Sequence, residues 1–161
     1  MRTELEYPFK PKSTASLRPG QYWSVPLSSG RFACGRVLQL GGEAIPSQFR
    51  TFFGGLHNWL GVEAPTSEAI AGAPFVGFGV MHIRAITKTG GEILGIRPLE
   101  RDGIELPVFI SGLGGVGVQV LSGASHVREA RRDEWGTMPV LSVWGYNHIR
   151  QLAEAKLEQD A

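Results

Sequence analysis

Residues 18–40 read Arg-Pro-Gly-Gln-Tyr-Trp-Ser-Val-Pro-Leu-Ser-Ser-Gly-Arg-Phe-Ala-Cys-Gly-Arg-Val-Leu-Gln-Leu. Trp23, Val25 and Leu27 alternate with Tyr22, Ser24 and Pro26, and a period of two sends each set to its own face of a pleated strand. Ser28, Ser29 and Gly30 supply a turn, since glycine reaches positive φ at little cost, and the chain returns as residues 31–40. Matching apolar side chains across that turn pairs Leu27 with Phe32 and Val25 with Cys34. This register gathers Trp23, Val25, Leu27, Phe32, Cys34 and Leu38 on one face, and a slip of one residue would scatter them. Pro26 has no N–H to give to a ladder, so its strand is expected at an edge or with one unpaired side.

Upstream of the hairpin, residues 1–16 are polar, carry Pro8 and Pro11, and read as an extended arm. Residues 17–161 read as a single α+β domain, long enough to bury a core without a metal or a disulfide. Downstream, residues 48–56 predict a strand followed by a loop, because Gly54 and Gly55 interrupt the helical spacing of the aromatics. Residues 65–72 predict a short helix capped by Thr66 and ended by Gly72. Residues 75–87 predict a long strand that forms a second hairpin with residues 92–96, and residues 100–105 a charged surface loop. Two strands, 107–111 and 116–122, flank a glycine-rich bend, and Ser125 is expected to cap a short helix running to Glu134. A strand at 140–144 leads into a terminal helix at 147–157, where Ile149, Leu152, Ala153 and Leu157 keep helical spacing. The fold class is therefore α+β: a strongly bent, mostly antiparallel β-sheet or partial barrel with short helices and a C-terminal helix.

Composition narrows the function classes. Sixteen Lys and Arg against fifteen Asp and Glu leave a net +1, split as seven against five over residues 1–80 and nine against ten over residues 81–161. Neither nucleic-acid binding nor attraction to an anionic membrane follows from that balance. The first twenty residues hold no apolar leader-like run, and the apolar runs are too short to span a bilayer. One cysteine, Cys34, excludes an intramolecular disulfide, reads as a small core residue and suits a reducing, cytoplasmic setting.

Catalytic motifs are sparse. Gly112, Gly114 and Gly117 match GxGxxG after an apolar strand, but Val118-Gln119-Val120-Leu121 follows where a dinucleotide site needs a helix, so the stretch reads as a glycine-rich turn and no cofactor is expected. His57, His82, His126 and His148 are widely spaced, without a metal-binding pattern. No catalytic residue and no metal ligand is assigned. Arg36 is a cation within an apolar strand and must find water or a carboxylate, either as a structural ion pair or as an anchor for a ligand or partner. His148, in the first turn of the last helix, reads as structural. Contact candidates are aromatics in polar loops: His57, Asn58 and Trp59, and Arg131 and Arg132 with Trp135.

The order of signals adds to this. Pro-Gly-Gln-Tyr-Trp-Ser-Val-Pro-Leu at 19–27, Gly30-Arg31-Phe32, Gly35-Arg36-Val37-Leu38, Gly95-Ile96-Arg97-Pro98-Leu99, Pro107-Val108-Phe109, Val143-Trp144 and His148-Ile149 with Leu152 together resemble bacterial immunity protein family twenty-six. The bend after Pro107 and the apolar segment 49–60 have no counterpart in that pattern. The resemblance implies a small cytoplasmic protein of a polymorphic toxin system that binds and neutralises a cognate toxin, without catalysis and with homodimer formation left open. The same family label is attached to phosphotriesterases, and that alternative asks for two or more of His57, His82, Asp102, Glu105, His126 and His148 to converge on one cavity. A further alternative, a small-ligand barrel, asks for a pocket lined by Trp23, Phe32 or Phe78.

Overall fold

The computed structural model describes residues 5–45, 50–111 and 117–158. Among these residues nine strands form two sheets: β1 (Gln21–Pro26), β2 (Phe32–Gln39), β3 (Thr51–His57), β4 (Phe75–His82), β5 (Ile93–Ile96), β6 (Val108–Ser111), β7 (Gln119–Ser122), β8 (Ser125–Glu129) and β9 (Val143–Trp144). The larger sheet runs β5-β1-β2-β3-β4-β9, antiparallel except for β4 with β9, and the smaller runs β6-β7-β8. Two helices, α1 (Arg84–Thr87) and α2 (His148–Lys156), complete an α+β fold around a bent sheet. No barrel closes among the described residues, and no described helix is long and apolar enough to cross a membrane.

The opening hairpin forms, with Gly30 at φ +87° and its N–H bonded to the Leu27 carbonyl at 3.0 Å. Its register differs by one residue from the apolar match. Pro26 faces Phe32, Val25 faces Ala33, Ser24 faces Cys34 and Trp23 faces Gly35. The reason lies at Gly35: a Cβ there would stand within the Trp23 indole, so only a glycine opposite Trp23 leaves that ring room. The consequence is that Trp23, Val25, Leu27, Ala33 and Val37 share one face while Cys34 and Leu38 take the other. Both faces are buried, so the larger sheet has no solvent side to betray the register. β1 also lies inside the sheet, but β5 pairs only with Gln21, Tyr22 and Trp23, which leaves Pro26 beyond that ladder as its missing N–H requires.

One face of the larger sheet packs Trp23, Val25, Val37, Phe52, Leu56 and Met81 against Ile83, Ala85 and Ile86 of the α1 region and Ile149 and Ala153 of α2. The other face packs Leu38, Phe53 and Val80 against Phe109 and Leu121 of the smaller sheet. The described part of the arm, residues 5–16, lies along the domain. Phe9 exchanges two backbone bonds with Ile93, at 3.0 and 2.8 Å, and Tyr7 and Phe9 pack on the core.

Four expectations are corrected. The strand from Phe75 stops at His82, and Ile83 and Ile86, three apart, turn into α1 and bury together. β5 pairs with β1 rather than β4, since Gly91 lets the incoming chain lie against the Ser24 carbonyl where any Cβ would collide. The expected helix at 65–72 is absent and residues 67–72 form consecutive turns, although the Thr66 hydroxyl does accept the Ala69 N–H at 3.1 Å. Ser125 begins a strand, not a helix: Ser122 pairs with Ser125 across a two-residue turn in which Gly123 holds φ +58°. The stretches 48–56, 107–111, 116–122 and 140–144 each yield a shorter or shifted strand, at 51–57, 108–111, 119–122 and 143–144, the last of only two residues, and the terminal helix forms at 148–156. The glycine-rich bend at 112–116 and residues 46–49 lie outside the described residues.

Candidate functional site

Arg36 stands mid-strand on β2, on the face opposite Trp23, and is wholly buried. A guanidinium there stays charged and must place its donors on acceptors inside the protein. Its Nε donates to the Gly20 carbonyl at 2.9 Å, Nη2 donates to the Arg97 carbonyl, and Nη1 meets His57 Nε2 at 3.2 Å. Burial pulls the Arg36 pKa down, opposed by Cys34 and by Asp102, whose Oδ2 lies 3.9 Å from Nη2.

His57, at the end of β3, is also wholly buried, and its ring stacks on Phe75 at a centroid distance of 4.2 Å. Burial first, and then the Arg36 charge, lower its pKa to about 4. A neutral ring fits both contacts in one tautomer: Nδ1–H donates to the Ala73 carbonyl at 3.0 Å and the Nε2 lone pair accepts from Arg36. His57 is therefore not in a polar loop, as expected from sequence, but in the sheet interior.

Arg97 and Asp102 close the network. Arg97 Nε and Nη2 each donate to an Asp102 oxygen at 2.8 Å, a two-bonded fork, and Nη1 donates to Ser67 at 3.2 Å. The Gly72 N–H adds a bond to Asp102 Oδ1 at 3.2 Å. The Arg97 bonds, foremost, hold the Asp102 carboxyl down at about 2. Residues 100–105 are thus only partly a surface loop, because the Asp102 side chain is 7% exposed. Arg36 carried a signal of its own as a charge in an apolar strand. Arg97 and Asp102, five apart on either side of Pro98, carried none, because their meeting depends on the 3-10 turn at Leu99–Asp102.

The remaining candidates scatter. Asn58 is exposed, and Trp59 is half-buried against Tyr22, Cys34 and Ile70. Arg131, Arg132 and Trp135 are exposed beside the smaller sheet, with the Arg132 guanidinium carbon 5.8 Å from the Trp135 ring centre. Below them Arg128 forks onto Glu134 at 2.8 and 2.7 Å, and Glu134 accepts the Arg131 N–H at 2.8 Å. His148 is exposed on α2 with its ring 5.0 Å from Trp144. Cys34 is buried, and burial pushes its thiol pKa up, away from a nucleophile's range.

A cleft of about 230 Å³ opens beside the network, lined by residues 72–75 and 102–105, so Asp102 and Glu105 share one cavity. Asp102 spends both oxygens on Arg97 there, the His82 Nδ1 accepts the Arg84 N–H at 3.0 Å, and among the described residues no group of three or more His, Cys, Asp or Glu side chains could hold a metal ion. Of Trp23, Phe32 and Phe78, any of which was expected to line a ligand pocket, Trp23 and Phe78 pack on opposite faces of the larger sheet. The chain matches no known protein-family model, no curated protein and no solved structure.

Proposed function

We propose that this chain is a non-catalytic binding protein of the immunity type, which neutralises a cognate toxin by covering part of its surface. One observation carries the reading. Eight large apolar side chains stand exposed among the described residues, and six of them, Val108, Val127, Trp135, Val140, Val143 and Tyr146, fall between residues 108 and 146. Val143 is 80% exposed and Val127 61%. The same span carries Arg131 and Arg132, and exposed aromatic, arginine and aliphatic groups gathered on one part of a chain are the makings of a protein interface. The interior polar groups support the reading from the other side: Arg36, His57, Arg97 and Asp102 are bonded to one another and to backbone, which makes a brace for the sheet.

Co-expression with the toxin-like product of an adjacent gene tests this. Growth should be restored and the two chains should elute together at one to one, and neither effect should survive Trp135→Ala combined with Arg132→Ala. No rescue and no co-elution would remove the reading, and elution of this chain as a stable pair of copies through the same residues would replace the toxin by a second copy.

A further inference from the structure

A second, larger cleft, of about 510 Å³, is formed by the arm and the segment that leads toward β1, lined by Leu5, Lys10, Lys12, Ser13, Ala15, Ser16 and Arg18. We propose that it binds a small ligand through a di- or triphosphate group, independently of any protein partner. Among its described lining residues three are cationic, two carry hydroxyls and none carries a carboxylate. Lys10 and Lys12 are exposed and enter none of the ion pairs among the described residues, where Arg31, Arg97, Arg128, Arg131 and Arg150 each hold an acid. In a chain of net +1, three cations around one concavity, with no carboxylate among its described lining residues, concentrate a positive potential there.

The walls are fixed before any ligand arrives. Gln21, wholly buried, accepts the Arg18 N–H at 2.8 Å through its amide oxygen and donates to the Ser16 carbonyl at 3.1 Å and the Tyr7 hydroxyl at 3.3 Å. It thereby ties the arm, residues 16–18 and β1 together. The Arg18 Nη1 donates to the Ala15 and Leu17 carbonyls, both at 2.7 Å, which leaves the Nε and Nη2 donors for an oxyanion in the two-bonded geometry that suits phosphate. The Ser13 Oγ accepts the Ala15 N–H at 3.2 Å, so its own proton remains to be given. Three separated cations on a cleft of this size match several linked phosphoryl groups better than a single one.

The test titrates the full chain with inorganic triphosphate by calorimetry and follows thermal unfolding alongside, with citrate at equal ionic strength as the charge control. Saturable binding of triphosphate that weakens with added salt, raises the melting temperature and falls roughly tenfold or more in Lys10→Ala combined with Lys12→Ala is expected. Both lysines are exposed, so the double variant keeps the fold and its own melting temperature without ligand. Arg18→Lys, which keeps the charge but loses the fork, should weaken binding of triphosphate more than that of citrate. Absence of binding at millimolar triphosphate, equal binding of citrate, or binding unaffected by the lysine pair would each overturn the proposal.

Discussion

Two arginine-carboxylate clusters built from the same chemistry sit at opposite extremes of exposure. Around Arg36, the guanidinium is wholly buried and its neighbours His57, Arg97 and Asp102 are bonded in a closed set. Around Glu134, Arg128 makes the same forked bond that Arg97 makes to Asp102, yet the Arg128 side chain is 47% exposed and Arg131 71%. Inside, every donor must be met by protein, so geometry is fixed and the cluster acts as structure. Outside, water can replace any partner, so each arginine is free to exchange its acid for another molecule. Burial, rather than residue type, separates the brace from the exposed cluster.

The comparison breaks first at Arg36. Arg36→Ala would empty a fully buried volume and strip bonds from the Gly20 and Arg97 carbonyls and from His57. Losing one member of a buried charged network costs about 3–5 kcal/mol, so urea denaturation should show most of the domain's stability gone. A loss below about 1 kcal/mol would mean that water reaches these groups and that the two clusters do not differ in kind.

Acid probes the same brace with a smaller effect. His57 has a folded pKa of about 4 against an ordinary value near 6.5, so below that ordinary value the unfolded chain takes up a proton that the folded one refuses. The stability contributed by its neutral form is complete above about pH 6.5 and is lost as pH falls through about 4, roughly 3 kcal/mol in all. The groups facing the ring are the Arg36 guanidinium, the Asp102 charge, the Ala73 carbonyl and the Phe75 ring, and repulsion from Arg36 reinforces burial in keeping it neutral. Asp102, held at about 2, gives a second window of the same sign between about pH 4 and 2. Chemical denaturation at a series of pH values should show the upper slope, and His57→Gln should leave only the shallower one from His82, whose pKa is also lowered. An unchanged slope in that variant would place the acid sensitivity elsewhere.

The sequence made the strands legible wherever turn chemistry marked them, as at Gly30, and the terminal helix wherever the 3.6 spacing of Ile149 and Ala153 ran unbroken. It misled where two periods fit the same residues: Ile83, Ala85 and Ile86 continue a strand on paper, whereas in the fold Ile83 caps α1 and the other two lie within it. It also misled on register, because hydrophobic matching presumes one wet face and this sheet has none. The constraint that decides is a steric one between Trp23 and Gly35, written as a missing side chain. At the site, Arg36 was visible as an anomaly, whereas its partners came from three separate segments brought together only by the tertiary fold.

The smallest effect on stability is expected at the exposed cluster, and there it is the most informative. Trp135 is 43% exposed and touches the Arg132 guanidinium, so Trp135→Ala should change unfolding free energy by no more than about 0.5 kcal/mol. If the cluster is a contact surface, the same change should cost about 2 kcal/mol or more of affinity for the partner that co-elutes, roughly a thirtyfold weakening, since a tryptophan anchor loses its pocket while the fold loses little. Measured side by side, the melting temperature and the dissociation constant then move independently, which no buried residue of the Arg36 brace would allow. A Trp135→Ala chain that melts well below the parent would show instead that the ring holds Arg132 and the Glu134 turn in place, and the exposed cluster would join the buried one as structure.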